Sequence, residues 1–408
     1  MITKNKNLIK ATLLMASSLT VMAGATIAPL LPLMSKVFKD IPHAELLSKL
    51  ALTLPSLMIA LVSPLAGYII DKFGRIKLLL ISLILYAVGG TSGLYLTDLY
   101  AILAGRAILG IAVAGVMTTA TTLIADYLDG IERNKFMSLQ GAAMALGGMV
   151  FVGSGGILAD VGWRYPFALY FFSLVLLPLA FIYLFEPQSK SSSQETLTSV
   201  EGKQAIAYPK FLVNFVYIVT FVGMIMYYLV PVQLPYYVKE LGVQKNALSA
   251  LAIAVATFMG ALGSFSYRRV KAYLSFTQVF ALSFGLMGTG LLVVGIASSY
   301  NIVLVGMFIG GLGAGYLLPN PSLWMMSLAP ERIRGRLIGR LTMAVFLGHF
   351  FSPVLSEPVA KQWSLSVVFG AAGIIMIVLA GGFIIINHYI MSRDRQWHQN
   401  MQPSTTAG

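Results

Sequence analysis

The chain has 408 residues, of which 57% are hydrophobic and only 11% are charged, and its mean hydropathy is +0.81. This composition predicts an integral membrane protein and excludes an ordinary soluble domain. The absence of cysteine excludes disulfides, thiol chemistry and cysteine-ligated metals. A net charge of +13 fits basic loops at one membrane face better than a phosphate-binding surface, so no nucleic-acid partner is expected.

Twelve apolar segments, each long enough to cross a bilayer, follow one another along the chain. The first follows three lysines, Lys4, Lys6 and Lys10, but it is too long for a signal peptide, so we interpret it as an uncleaved first helix. The sequence therefore predicts an all-α membrane protein with twelve transmembrane helices. The segments are residues 11–34, 46–70, 77–96, 99–127, 134–159, 165–185, 209–238, 246–268, 274–297, 301–328, 334–358 and 364–391.

One long polar stretch interrupts this pattern at residues 186–208, where Ser, Gln and Glu are frequent. Such a composition is typical of a flexible linker. It predicts an N-terminal six-helix bundle at residues 1–185 and a C-terminal six-helix bundle with a short tail at residues 209–408. Glycines that recur at a constant offset, such as Gly105 and Gly306, indicate that the two bundles are parallel repeats.

The distribution of Lys and Arg predicts the orientation in the membrane. With alternating sides assigned to successive loops, twenty of the 28 basic residues fall on the side of both termini and seven on the opposite side, and Arg106 lies within a predicted helix. Basic residues are retained preferentially on the cytoplasmic side of a membrane. We therefore expect a multi-pass protein of the cell (inner) membrane with both termini in the cytoplasm.

The most specific motif is GYIIDKFGRIKLLL at residues 67–80, where a charged turn joins predicted helices 2 and 3. It resembles the loop between helices 2 and 3 of the major facilitator superfamily, and within it the drug:proton antiporters. The resemblance implies the major facilitator fold, in which two pseudo-symmetric six-helix bundles form a secondary transporter that works by alternating access.

The charged residues of this motif suggest a conformational latch. Asp71 ends predicted helix 2, Arg75 follows one turn later, and Asp126 ends predicted helix 4. Charge-assisted hydrogen bonds would tie these helix ends together, and Asp71 could also face the positive N-terminus of helix 11. With Gly67 and Gly74, these residues form the predicted latch. The alternative is a solvated loop whose charges only follow the orientation rule.

The segment LAGRAILG places Arg106 inside predicted helix 4 and resembles the helix 4 pattern of the same family. An arginine at that depth is costly unless it finds partners. Arg106 therefore either reaches outward to water, is satisfied by backbone carbonyls of a neighbour such as helix 1, or binds a functional group. The resemblance implies a role in proton handling.

His349, in FLGHFFSP of predicted helix 11, is the other ionisable residue expected in the interior. Histidine has an unperturbed pKa of about 6.5, which suits reversible protonation. Glu357 lies two turns further along roughly the same face. Arg106, His349 and Glu357 are therefore the proton-coupling candidates. The alternative for His349 is a neutral histidine that is hydrogen-bonded inside the bundle.

The segment GGMVFVGSGGILAD lies where the resembled antiporters carry Gly-x-x-x-Gly-Pro-x-x-Gly-Gly in helix 5. Gly147, Gly155 and Gly156 match this pattern, but Phe151 and Val152 replace the Gly-Pro pair. Small residues also allow helices to pack closely, so a packing face explains the glycines without any further role. The departure weakens the case for an antiporter and keeps an importer open as an alternative.

Substrate contacts are expected from helices 1, 4, 7 and 10, which line the central cavity in the resembled family. Methionine and aromatic side chains suit loose recognition of amphipathic molecules, and aromatics that face lipid near the interfaces have the same sequence pattern. The candidates on helices 7 and 10 are Tyr217, Met224, Tyr227, Gln233, Tyr316, Asn320 and Trp324.

These features predict a monomeric transporter in the lipid bilayer that exports small amphipathic, drug-like molecules in exchange for protons. One alternative is an exporter of a specific anionic metabolite such as a siderophore, because Arg106 would lie in a cavity without carboxylates. A membrane receptor or a lipid scramblase is the alternative from another class. The sequence shows no clustered catalytic or metal-ligand residues, so no enzyme activity, cofactor or metal is expected.

Overall fold

The structure of the protein is a computed structural model that describes residues 6–187 and 208–401. In these residues, twelve helices are long and apolar enough to cross a membrane, which confirms the predicted fold class. In chain order, helices 1 to 12 are Lys6–Val37, Ala44–Leu65, Arg75–Tyr95, Leu99–Tyr127, Lys135–Val161, Tyr165–Tyr183, Lys210–Glu240, Asn246–Tyr273, Phe276–Gly295, Tyr300–Leu328, Ile333–Gln362 and Leu365–Trp397.

Several helices depart from the predicted segments. Helix 1 is interrupted by a short 3-10 turn at Ala28–Leu30, where Pro29 has no backbone N–H to continue the α-helical hydrogen bonding. Helix 6 begins as the 3-10 helix Tyr165–Phe171. The α-helix that contains helix 12 continues to Met401, beyond the predicted end at residue 391. Helical periodicity locates the middle of a helix well, but its ends depend on local capping.

Close packing within each half depends on glycines that recur at the same sequence offset. A Cβ atom on Gly89 of helix 3 would lie 2.7 Å from the carbonyl oxygen of Gly105 in helix 4. In the second half, a Cβ atom on Gly290 of helix 9 would lie 2.6 Å from the carbonyl oxygen of Gly306 in helix 10. The same close approach therefore occurs in both halves, as parallel repeats require.

The two halves, helices 1–6 and helices 7–12, meet mainly through helix 2 on helix 11 and helix 5 on helix 8. We call the end of the molecule with residues 6–10 and 390–397 the termini end, and the opposite end the far end. A Cβ atom on Gly156 of helix 5 would lie 2.4 Å from Ala250 of helix 8 at the far end. A Cβ atom on Gly141 of helix 5 or on Gly339 of helix 11, both nearer the termini end, would have no neighbouring atom within 4 Å among the described residues. Gly141 lies about four helical turns before Gly156, and Gly339 about five turns before Glu357, a residue of helix 11 that contacts helix 2 at the far end. Each glycine is therefore roughly on the helix face that joins the halves at the far end. The halves touch at the far end and separate towards the termini end.

The predicted division into two bundles joined by a linker stays a prediction. Residues 188–207, most of the predicted linker, lie outside the described part of the chain.

Candidate functional site

Arg106 lies in the middle of the first half and is fully buried. Its Nε donates a hydrogen bond to the carbonyl of Ala51 in helix 2 at 2.8 Å, and its Nη2 donates to the carbonyl of Ala23 in helix 1 at 2.6 Å. The guanidinium lies 5.0 Å from the ring centre of Tyr170 in helix 6. Of the three alternatives for Arg106, this geometry matches the one in which backbone carbonyls bind the guanidinium. Its Nη1, however, is buried and has no hydrogen-bond partner among the described residues.

The carbonyls of Ala51 and Ala23 can accept hydrogen bonds from Arg106 because neither has its usual donor within its own helix. In an α-helix, the carbonyl of Ala51 would accept from the N–H of Pro55, and proline has none. Ala23 lies in the last turn of the first α-helical segment, which ends at Ala25, where carbonyls lose their intrahelical donors. The hydroxyl of Tyr170 also donates to Ala23, at 3.0 Å. Proline four residues after a carbonyl is thus a sequence signal that could have located this contact.

His349 of helix 11 lies where the halves come together. Its ring is stacked on Tyr228 of helix 7, with ring centres 4.1 Å apart and an angle of 15° between the planes. Phe346 and Tyr227 surround it at 5.6 and 6.2 Å. The side chain is half-buried, and its Nε2 is buried and has no hydrogen-bond partner among the described residues. The ring is therefore held by aromatic packing and not by an ion pair.

Tyr228 brings His349 close to the Arg106 contacts. The Tyr228 hydroxyl occupies space that a side chain at Gly24 would need, because a Cβ atom there would lie 2.5 Å from it. Gly24 follows Ala23, whose carbonyl binds Arg106. We call Arg106, Tyr170, Tyr228 and His349 the central cluster. It joins helices 4, 6, 7 and 11 around helix 1.

Glu357 does not join this cluster. Its Oε2 lies 2.5 Å from Nζ of Lys49 in helix 2, and its Oε1 lies 3.4 Å from Nζ of Lys361. Lys49 is fully buried and Glu357 is 2% exposed. The prediction that Arg106 and His349 are the only interior ionisable groups is therefore wrong. The count of basic residues places Lys49 in the loops opposite the termini, and its partner, 308 positions away, cannot be inferred from periodicity.

Part of the contacts expected for the latch form, and they lie within helices 1–6; the role as a conformational latch stays a prediction. Nε of Arg75 lies 3.2 Å from Oδ2 of Asp126. Glu186, which follows helix 6, accepts hydrogen bonds from the backbone N–H groups of Arg75 and Ile76 at 2.8 and 2.9 Å, and so caps the N-terminus of helix 3. Gly74, with φ of +87°, makes the turn before that helix. Gly67 and the side chain of Asp71 lie outside the described part of the structure.

Most substrate candidates are buried in this conformation. Gln233 donates to Ser356 at 2.8 Å, and Nδ2 of Asn320 donates to the Phe276 carbonyl at 3.0 Å. Trp324 is stacked on the ring of Phe276, with centres 5.4 Å apart. Substrate contact stays a prediction for all seven residues. Those that are buried are Met224, Gln233, Tyr316, Asn320 and Trp324, and those that are half-buried are Tyr217 and Tyr227.

The three matching glycines of helix 5 are packing positions. A Cβ atom would lie 2.9 Å from Ser18 at Gly147 and 2.2 Å from the Thr26 carbonyl oxygen at Gly155, both in helix 1. At Gly156 it would contact helix 8. Close approach of helices 1, 5 and 8 explains all three glycines, in agreement with the interpretation as a packing face.

The twelve helices and the repeated packing of the two halves define a polytopic membrane protein built from two similar halves. A sequence model described as Major Facilitator Superfamily matches residues 13–277 and 273–400. The chain therefore belongs to the major facilitator superfamily, as the motif at residues 67–80 indicated.

Among the proteins similar to this chain are two multidrug resistance proteins and a sugar transporter of known structure. It is 23% identical over 373 residues to the multi-drug resistance efflux pump PmrA of Streptococcus pneumoniae, which covers 86% of this chain and 90% of the relative. It is 30% identical over 161 residues to multidrug resistance protein 1 of Bacillus subtilis, but this match covers only 39% of the chain and 41% of the relative. The inward-open xylose transporter XylE from E. coli matches with a TM-score of 0.73 and 15% identity, over 92% of this chain and 96% of that chain. At that identity the structural match shows the fold alone.

Proposed function

We propose that this protein exports small amphipathic molecules in exchange for protons by alternating access. The observation that carries the proposal is the asymmetry between the ends, since the halves touch at the far end and separate towards the termini end. A protein that binds a solute from one side and releases it on the other needs such one-sided openings. The full-length similarity to a multidrug efflux pump supports export of drug-like molecules.

The proposal includes an orientation. Twenty of the 28 basic residues belong to the side of the termini, and exposed arginines such as Arg336 and Arg340 lie in the first turns of helix 11 there. The orientation rule favours a cytoplasmic termini end in the inner membrane. The structure is then open to the cytoplasm, the side from which an exporter takes up its substrate. The chain is proposed to work there as a monomer in the lipid bilayer.

The half-buried aromatic residues between the halves supply the proposed binding surface. Tyr227 and Tyr228 of helix 7 and Phe346 of helix 11 surround His349 with apolar rings. Rings and their few hydroxyl groups place weak geometric demands on a ligand, so molecules of different shape can be accommodated. This favours amphipathic substrates over small, highly polar ones.

His349 is the proposed proton carrier. An arginine does not release its proton in a protein, so Arg106 is assigned a positioning role through the Ala23 and Ala51 carbonyls. His349 lies against the Tyr228 ring, where a protonated imidazole would gain a cation–π interaction. Its Nε2 has no fixed partner among the described residues, so it can gain and lose a proton without breaking an existing bond.

Transport into proteoliposomes with an acidic lumen tests the function. We expect accumulation of a fluorescent amphipathic dye that collapses when the pH gradient is dissipated. His349→Gln should abolish gradient-driven accumulation and preserve dye counterflow, because only coupling is lost. His388→Gln, which changes an exposed histidine of helix 12, should behave as wild type.

Four outcomes would contradict parts of this proposal. Dye accumulation that ignores the pH gradient would exclude proton coupling. Full gradient-driven transport by His349→Gln would remove His349 as carrier, and loss of counterflow together with driven transport would make its role structural. Movement of lipid but not of dye would favour a scramblase.

An exporter of an anionic metabolite is the second candidate. Arg106 carries a buried charge whose described partners are two carbonyls and an aromatic ring, with no carboxylate among them. Its uncompensated positive charge favours an anionic solute nearby. Dyes that share one skeleton but carry a carboxylate or an ammonium group distinguish the candidates. Preferential transport of the carboxylate form supports the second candidate, and equal transport or a preference for the ammonium form excludes it.

A further inference from the structure

The far end contains a polar contact that joins both halves through four helices. Lys49 of helix 2 lies 2.5 Å from Glu357 of helix 11, and its Nζ lies 4.3 Å from the ring centre of Tyr236 in helix 7. The Tyr236 hydroxyl is 2.6 Å from the hydroxyl of Ser35 in helix 1. A second carboxylate, Glu45 of helix 2, lies 2.7 Å from the same Nζ.

A second contact crosses the halves at the same end. Asp160 ends helix 5, and its Oδ1 accepts hydrogen bonds from the backbone N–H of Asn246 at 2.6 Å and from Nδ2 of Asn246 at 2.9 Å. Its Oδ2 accepts from the N–H of Ala247 at 3.1 Å. A carboxylate in this position satisfies orphan donors at the first turn of helix 8 and interacts favourably with the helix dipole.

The two contacts occupy the two principal interfaces between the halves, helix 2 with helix 11 and helix 5 with helix 8. Opening of the far end must separate both pairs. A buried lysine that loses its partner while still excluded from water is strongly disfavoured. Lys49 and Glu357 can therefore separate only when water reaches both side chains at once. We infer that the two helix pairs at the far end open together.

We propose that Lys49, Glu357 and Asp160 form the far gate of the transport cycle, in which Glu357 is the fixed counter-ion of Lys49. The inference rests on the proposed alternating access. In an antiporter that exports its substrate, protons enter from the far end. The residue that carries the proton must therefore be protonated when the far end closes. At the closed far end, the Glu357 side chain is instead bound by Lys49 of the other half. Glu357 is therefore a positioning residue, and proton transfer is left to His349.

Labelling of single cysteines tests the gate, because the native chain contains no cysteine. Thr53, one turn after Lys49 in helix 2, is fully buried, so Thr53→Cys reports opening of the far end. Gly339→Cys, in open space in helix 11, reports closure of the termini end. Both are measured with a hydrophilic maleimide on protein in lipid nanodiscs, where both faces are accessible.

Glu357→Gln is compared with Glu45→Gln. Both remove a carboxylate that contacts Lys49, but only Glu357 belongs to the other half. We expect Glu357→Gln to increase labelling of Thr53→Cys by about tenfold, equivalent to about 1.4 kcal/mol, and to decrease labelling of Gly339→Cys. Glu45→Gln should leave both rates within about twofold, a shift well below 1 kcal/mol. Equal effects of the two substitutions would overturn the proposal.

Asp98→Asn is the matched control for Asp160→Asn, because both substitutions remove a helix-capping carboxylate at the far end. Asp98 caps helix 4 at the same end by accepting from Ala101 N–H at 2.8 Å, entirely within the first half. Only Asp160→Asn should increase labelling of Thr53→Cys. An equal increase from Asp98→Asn would show that helix capping, and not contact between the halves, controls the opening.

The charge exchange Lys49→Glu with Glu357→Lys keeps the proposal testable when a single variant does not fold. It is made together with Glu45→Gln and Lys361→Gln, because the exchange would otherwise place like charges in contact. The exchanged pair should return the labelling of Thr53→Cys towards the wild-type rate. An exchanged variant that folds but is labelled as an open protein overturns the proposal. Labelling needs no substrate and no pH gradient, so failure of the gate is distinguishable from failure of the proposed transport function.

Discussion

The two ends of the molecule use charged residues differently. At the far end, Lys49 and Glu357 are almost completely buried and connect one half to the other. At the termini end, Arg75 pairs with Asp126, and Lys10 pairs with Glu132, within helices 1–6 and partly in contact with solvent. The ion pair at the far end therefore opposes separation of the halves, whereas the two pairs at the termini end stabilise the first half alone.

The difference predicts where a substitution changes the conformational equilibrium. Solvent-exposed ion pairs contribute between zero and about 1 kcal/mol, and the two described pairs at the termini end, Arg75–Asp126 and Lys10–Glu132, each lie within one half. A buried pair is costly to break singly, and the far-end pair exists only when that end is closed. Substitutions at the far end should shift the populations of the two conformations, and substitutions inside one half should change stability without shifting them.

The largest expected effect concerns Arg106, whose hydrogen bonds to Ala23 and Ala51 lie within its own half. Arg106→Gln removes the charged hydrogen bonds to Ala23 and Ala51, and we expect a loss of about 2–4 kcal/mol of stability. Thermal unfolding in detergent measures the loss, and Arg106→Lys, which keeps the charge but not the planar fork, should be intermediate. Unfolding of Arg106→Gln at the wild-type temperature would contradict this assignment.

The next prediction compares two glycines, Gly156 at the far end and Gly339 near the termini end. Gly156→Ala places a methyl group 2.4 Å from Ala250 across the far-end interface, and overpacking of this kind costs about 1–3 kcal/mol. Gly339→Ala enters open space near the termini end and should not destabilise this conformation. Labelling of Thr53→Cys should increase only for Gly156→Ala. The same increase for Gly339→Ala would mean that the ends do not differ as described.

The smallest effect concerns pH at the termini end. A hydrogen bond and the charge of Lys10 lower the pKa of Glu132 below its ordinary value of 4.5. The ion pair therefore contributes fully above pH 4.5 and loses its contribution as the pH falls through the lowered pKa. Thermal unfolding of wild type and Glu132→Gln should differ slightly at neutral pH and converge in acid. A difference that persists in acid would contradict the ion pair.

The sequence predicted the fold because each membrane helix is encoded locally. A run of apolar residues is enough to specify a transmembrane span, and the motif at residues 67–80 placed the chain in its superfamily. Arg106 was identified as a residue that must find partners, since the cost of burying its charge follows from its depth alone. The glycines of helix 5 were likewise interpretable as packing positions without a structure.

The sequence by itself determined the twelve helices, the repeat and the depth of Arg106 in the membrane, but it did not identify the buried residues Lys49 and Glu357. Tertiary structure alone decided which side chains meet: Lys49 with Glu357, Asp160 with the start of helix 8, and His349 with Tyr228. Spans follow from transfer of local apolar surface into the membrane. Pairing between residues far apart in the chain depends on helix rotation and on which end of the molecule is closed, and local hydrophobicity contains no information about either.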